Sequence, residues 1–193
     1  RGKVRDIYDL GETLLFIASD RISAFDVVMQ NGIPGKGKVL NQTSLFWFDL
    51  LKDVVDNHLV TANVDEYPVK LRAYRDQLEG RSMIVVKADR VDAECIVRGY
   101  ISGSMWKELQ AARKAGSNVV HGFTFAPPLR ESEKLPEPLF TPSSKNDDGH
   151  DENISYDEAC AQVGAELAKR LSQQSIELYT RGAEYAMSRG III

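Results

Sequence analysis

The sequence predicts an α+β fold. Short β-patterned runs crowd its first hundred or so residues, whereas helical periodicity fills its last forty or so. The two kinds of element are segregated along the chain, with mixed connections, and do not alternate as in a repeating βαβ sheet. With 193 residues, 43% hydrophobic and 27% charged, the chain has the composition of a globular protein and enough interior for one large domain or two small lobes.

Residues 4–8, 14–18 and 25–29 read as strands, separated by the turn sequences "DLGE" and "SDRIS". "NGIPGKGK" at 31–38 is a glycine- and lysine-rich loop. Thr43, Trp47, Leu50, Leu51, Val54 and His58 follow helical spacing, which predicts a helix over 39–57. Strands are expected at 59–62 and 82–87, with a short helix near 69–78 ending at Gly80. A strand over 94–101 runs into "SGS", where Ser104 is placed to N-cap a helix that ends at Gly116. Pro127, Pro128, Pro136, Pro138 and Pro142 argue against regular elements across 122–154, leaving a loop of about thirty residues, a length associated with function. "SYDE" at 155–158 has the form of a capping box, and two helices or one bent helix follow to Arg189. Gly190 suits a helix C-cap, and Ile191, Ile192 and Ile193 read as the opening of a buried strand. With Arg1 at one end and this apolar run at the other, the chain reads as an internal piece of a longer protein.

A net charge of −4 gives no general attraction to nucleic acid or anionic lipid, so any anion site must be local. No apolar run reaches membrane-spanning length. Cys95 and Cys160 form no CxxC pair and read as reduced, partly buried thiols of a cytoplasmic protein.

Several segments carry chemistry. In "GKVRDIY", Lys3 and Arg5 flank a turn that begins at Gly2, which fits either a phosphate loop or a solvated basic hairpin. Gly32, Gly37 and Lys38 fit G-x-x-x-x-G-K, but Val39 stands where a magnesium-binding hydroxyl belongs and Pro34 lacks an N–H, so this segment is a near miss to a P-loop. "SDRISAFD" puts polar groups around the bend between two apolar strands. Lys87, at the end of an apolar strand, is placed either to reach a phosphate or to snorkel at an edge. "IVRGYISGSMWK" delivers Arg98 at a strand end and Ser102 and Ser104 at a helix start, a combination of guanidinium, hydroxyl and free N–H groups that suits an anion. "NDDGHDEN" at 146–153 fails the calcium-loop and zinc spacings. It reads as a solvated acidic loop or, with "TPSSK" upstream, as a site for an amino-acid ligand.

Taken in order, "GKVRDIYDLG", "SDRISAFDVV", "GIPGKGKVLNQTSLFWF", "ECIVRGYISGSMWKE", "LPEPLFTPSSKNDDGHDENIS" and "YTRGAEYAMSRGIII" span the whole chain. Together they resemble the phosphoribosylaminoimidazole-succinocarboxamide synthase (SAICAR synthetase) family, in its longer fungal and bacterial form. The resemblance implies a β-rich ATP-binding lobe over 1–90 and a mixed α/β lobe over 91–193. It implies an ATP-dependent ligase of purine biosynthesis. Such an enzyme phosphorylates the carboxylate of carboxyaminoimidazole ribonucleotide and joins L-aspartate to it. Gly2, Lys3, Val4 and Arg5 would then cover the ATP phosphates, with Lys87 and Arg90 near the adenine. Arg98 and Ser104 would hold the ribonucleotide 5′-phosphate, and Asp20, Arg21, Ser23 and Glu94 would face the same substrate. Lys145 and Asp151 would serve the aspartate and the acyl phosphate. The family requires Mg2+, whose ligands are expected beyond residue 193, so this stretch by itself is expected to be inactive. The competing readings are a P-loop phosphotransferase built on Lys38 and a non-catalytic nucleotide-binding domain.

Overall fold

The structure, a computed structural model, describes residues 2–25, 27–125, 129–145 and 152–193. The chain divides into two compact units, Arg1–Asp89 and Arg90–Ile193.

The first unit is built on an antiparallel sheet of four strands: β1 (Arg5–Asp9), β2 (Thr13–Ala18), β6 (Ser82–Val86) and β5 (Leu59–Thr61), in the order β1-β2-β6-β5. The period-two alternation along β2 sends Leu15 and Ile17 to one face and Phe16 to the other. Leu15 lies opposite Ile84, and the two meet Val64, Tyr67 and Leu78 in a buried cluster. Burying side chains of this size stabilises by about 1.5–3 kcal/mol each. Ser82, Met83, Ile84 and Val85 are all buried because β6 has a strand on either side and is covered on both faces. A small hairpin, β3 (Ser23–Ala24) with β4 (Val27–Val28), leads to helix α1 (Lys36–Leu50). The helix thus starts three residues earlier than the apolar spacing predicts and ends seven earlier, giving way to turns over 51–55. The single short helix expected near 69–78 is two, α2 (Val69–Arg72) and α3 (Arg75–Leu78).

The second unit begins with β7 (Ala93–Glu94) and β8 (Val97–Tyr100), so the predicted strand over 94–101 is interrupted at Cys95 and Ile96. Helix α4 (Gly103–Lys114) follows, capped by Ser102 and not by Ser104. Ile101, Met105 and Leu109 bring it against Val120, Phe125 and Leu135, a second buried cluster. Beyond it come β9 (Val119–Val120), β10 (Phe123–Thr124), β11 (Lys134–Phe140) and β12 (Ser143–Ser144). The proline argument therefore fails for β11, which contains Pro136 and Pro138. Among the described residues β11 pairs with β8 alone, and its register pairs fall at Lys134, Leu139 and Phe140, with a shift between the first two. The prolines thus stand where no ladder partner needs an N–H.

Helices α5 (Tyr156–Val163) and α6 (Ala165–Ser188) meet at Gly164, whose φ of 88° breaks the helical path. The predicted capping box is present: Ser155 Oγ accepts from the Glu158 N–H, and the Glu158 carboxylate accepts from the Ser155 N–H. Gly190, at φ 77°, follows the C-cap Arg189. Ile191, Ile192 and Ile193 form no strand and are exposed, contrary to the buried strand expected of them. Both cysteines are free; Cys160 is half-buried as expected, but Cys95 is exposed. No helix among the described residues is long and apolar enough to cross a membrane.

Candidate functional site

In the first unit the basic segment at residues 2–5 folds into a tight loop closed by a Gly2 N–H···O=C Arg5 bond of 2.7 Å. A side chain at Gly2 would stand 3.1 Å from that carbonyl oxygen. The loop is held from behind. Ser19 Oγ donates to the Val4 carbonyl at 2.8 Å. Arg21 forks onto the Asp6 carboxylate with two bonds of 3.0 Å, and also donates to the carbonyls of Lys3 at 3.1 Å and Gly2 at 3.2 Å. The carbonyls turn inward and the side chains of Lys3 and Arg5 are left exposed. Val4 and Arg5 line a cavity of about 360 Å³ with Phe16, Leu40, Phe48 and His58. The His58 ring meets Phe16 and Phe48 edge-on, at 5.7 and 5.6 Å. Burial first, and the Arg5 charge second, depress its pKa, which favours the neutral imidazole.

The near-miss P-loop proves to have an internal anion. The Asp20 carboxylate accepts from the N–H groups of Gly37 at 2.9 Å and Gly35 at 3.1 Å, at the start of α1, and takes a two-pronged ion pair from Arg81 at 3.0 and 3.3 Å. The Gly37 amide, then Arg81, then the Gly35 amide lower its pKa to about 2. The amides that a P-loop would offer to phosphate are thus occupied by the protein. Gly37 is required for another reason: a Cβ there would fall 2.2 Å from the Ala18 carbonyl oxygen. Asp20 and Arg21, expected to face substrate, therefore have their charged ends engaged by protein groups. Ser23 lies half-buried in β3 opposite Val28. Lys87 pairs with Asp9 at 2.6 Å, both side chains being exposed, the arrangement of an edge lysine.

In the second unit, β8 and α4 bring Arg98 and Ser104 together. Arg98 Nη2 donates to Ser104 Oγ at 3.0 Å, and Nε donates to Thr141 Oγ1 at 3.1 Å. The N-cap Ser102 makes no side-chain bond to the first turn of α4. Guanidinium, hydroxyl and a positive helix terminus together form an anion-binding arrangement. The sequence reading missed what supports it. Asn153 Nδ2 donates to Ser104 Oγ at 3.2 Å and to Glu108 Oε1 at 2.7 Å, and the other Glu108 oxygen meets His121 Nε2 at 2.7 Å. The i,i+4 spacing of Ser104 and Glu108 put both on one face of α4 and was legible; the reach of Asn153 was not.

Glu94 and Lys145 lie 3.7 Å apart, where β12 pairs with β7 and Ser143 lies opposite Glu94. The Lys145 N–H donates to the Asp92 carbonyl at 3.2 Å, and the Asp92 carboxylate pairs with Arg90 at 3.1 Å. Arg90, Glu94 and Lys145 thus border one short stretch around β7. A bridge between Ser143 and Asn153 joins this stretch to the Arg98–Ser104 pair. Asp151 lies outside the described residues. Among the described residues no group of three His, Cys, Asp or Glu side chains could hold a metal ion.

The model of the SAICAR synthetase family matches residues 1–193. A phosphoribosylaminoimidazole-succinocarboxamide synthase of Desulfatibacillum aliphaticivorans is 55% identical over 194 residues, which cover 100% of this chain and 63% of that protein. The enzyme of the same name from Thermodesulfovibrio yellowstonii is 54% identical over 193 residues, 100% of this chain and 64% of its own length. Among solved structures, the SAICAR synthase of Saccharomyces cerevisiae complexed with SAICAR superposes with a TM-score of 0.87 at 46% identity, covering 100% of this chain and 64% of that one. The chain therefore spans just under two thirds of the length of these relatives.

Proposed function

The chain belongs to the SAICAR synthetase family, and from that membership we propose that the protein is an ATP-dependent ligase of purine biosynthesis. A carboxylate oxygen of carboxyaminoimidazole ribonucleotide attacks the γ-phosphorus of ATP, and ADP leaves. The amine of L-aspartate then attacks the acyl carbon, inorganic phosphate departs, the amine gives up a proton and an amide remains. In this reading the partners are these small molecules, not nucleic acid or membrane, and the setting is the cytoplasm.

The residues divide by the chemistry they offer. Gly2, Lys3, Val4 and Arg5 cover the ATP phosphates, supported by the exposure of both cations on a loop whose carbonyls are turned away. Arg90 serves the adenine. Arg98 and Ser104 hold the 5′-phosphate of the ribonucleotide, with Glu94 on the rest of that substrate. Lys145, with Asp151, serves the aspartate and the forming acyl phosphate. Phosphoryl transfer requires positioned positive charge more than covalent help from the protein, which suits a set of cations gathered locally on a chain of net charge −4.

The observation that carries the proposal is the 3.0 Å Arg98–Ser104 contact at the start of α4. Steady-state assay of ATP-dependent amide formation in the full-length enzyme tests it. Arg98→Ala is expected to raise the KM for the ribonucleotide roughly tenfold or more, the effect of losing a charged hydrogen bond, while the KM for ATP stays within about twofold. An unchanged ribonucleotide KM would remove Arg98 from the site.

A further inference from the structure

We propose that Arg21 is a positioning residue: its guanidinium fixes the shape of the loop at residues 2–5 from behind and does not itself touch a substrate. The inference rests on the ATP-binding role given above to that loop.

Arg21 spends its donors on one short segment. Nη1 and Nη2 each bond the Asp6 carboxylate at 3.0 Å, Nε bonds the Lys3 carbonyl at 3.1 Å, and Nη2 also reaches the Gly2 carbonyl at 3.2 Å. The two side chains are 20% and 24% exposed, so the pair is largely shielded from water. A charge neutralised in this way is poorly placed to serve as a cation for a ligand. Its geometry suits another task, because a planar fork spans a carboxylate and two carbonyls at once, which the single nitrogen of a lysine does not. The Gly2 and Lys3 carbonyls are engaged by this fork, while the residues Lys3 and Arg5 are exposed.

The strut is also anchored at its root. The Arg21 carbonyl accepts from Lys36 Nζ at 3.2 Å, in the first residue of α1. Its neighbour Asp20 is fixed by the α1 amides and Arg81. Its other neighbour in the turn, Ser19, bonds the Val4 carbonyl through both its hydroxyl and its N–H, at 2.8 and 3.0 Å. The turn at residues 19–21 thus ties the basic loop to α1 and to the start of β6.

Calorimetric titration with ADP and, separately, with the ribonucleotide tests the assignment in wild type, Arg21→Ala, Arg21→Lys and Asp6→Asn, with thermal melts as the folding check. Arg21→Ala is expected to weaken ADP binding roughly tenfold, and Arg21→Lys nearly as much, with ribonucleotide affinity within about twofold of wild type. Asp6→Asn should give a smaller loss, and the double variant Asp6→Asn/Arg21→Ala should be no weaker than Arg21→Ala alone, since the two residues act as one unit. If Arg21→Ala does not fold, Arg21→Lys and Asp6→Asn carry the same comparison. ADP affinity unchanged in folded variants, or a larger loss for the ribonucleotide than for ADP, overturns the inference while leaving the ATP role of the loop standing. A wild-type protein that binds no ADP overturns that role as well.

Discussion

Asp20 shows how one side chain reads differently in sequence and in space. In "SDRISAFD" it is a polar group at a bend. In the structure it closes the N-terminus of a helix fifteen or more residues away and meets an arginine sixty-one residues away. Its carboxyl is held at about 2, below its ordinary value of 3.8. The sign follows: a depressed carboxyl stabilises the fold above its unfolded value, and this contribution fades as pH falls from about 4 toward 2. Thermal melts across that window should show the wild type losing stability more steeply than Asp20→Asn, whereas at pH 7 the variant should melt lower. Parallel slopes for the two proteins would remove Asp20 as the responsible group. None of this is legible locally, because its partners Gly35, Gly37 and Arg81 become neighbours only when α1 and β6 fold onto the end of β2.

At the scale of elements, local signals lie in the sequence and remote ones do not. The Ser155–Glu158 box is written in four consecutive residues and forms as predicted, because its bonds close within one helical turn. The start of α1 is set by Asp20 from outside the helix, so apolar periodicity placed it three residues late. β11 accepts two prolines because it has a partner on one side only, a fact of sheet topology that residue type does not disclose. The junction of α1 with β2 makes a sharp prediction. Gly37→Ala would drive a methyl to 2.2 Å from the Ala18 carbonyl oxygen, with rigid backbone on both sides. The substitution should destabilise by about 1–3 kcal/mol, which is a fall in Tm of roughly 2–4 °C per kcal/mol for a protein of this size. Gly116→Ala is the contrast: a Cβ there meets nothing within 4 Å and the strain is that of φ 79° alone, so its cost should be smaller. A Gly37→Ala variant as stable as wild type would show that α1 moves off β2 without penalty.

Charge and its distribution matter at the scale of the whole molecule. On a chain of net charge −4 the proposed anionic ligands require locally concentrated cations, and two candidate groupings stand out, Lys3 with Arg5 in the first unit and Arg98 of β8, bonded to Ser104 of α4, in the second. If each serves a different ligand, substitutions should dissociate. Lys3→Ala should raise the KM for ATP roughly tenfold with little effect on the ribonucleotide, and Arg98→Ala should do the reverse. Equal losses for both ligands in both variants would refute the division. The sequence by itself determined the α+β class, the kinship with SAICAR synthetases, the capping box and the nearness of Arg98 to Ser104, because each depends on residue type and short spacing. Only the tertiary structure decided that Asp20 closes a helix, that Arg21 grips the loop beside it, and that Asn153 reaches Ser104 across forty-nine positions. Those bonds join residues whose separation along the chain carries no information about their distance until the strands and helices between them have packed.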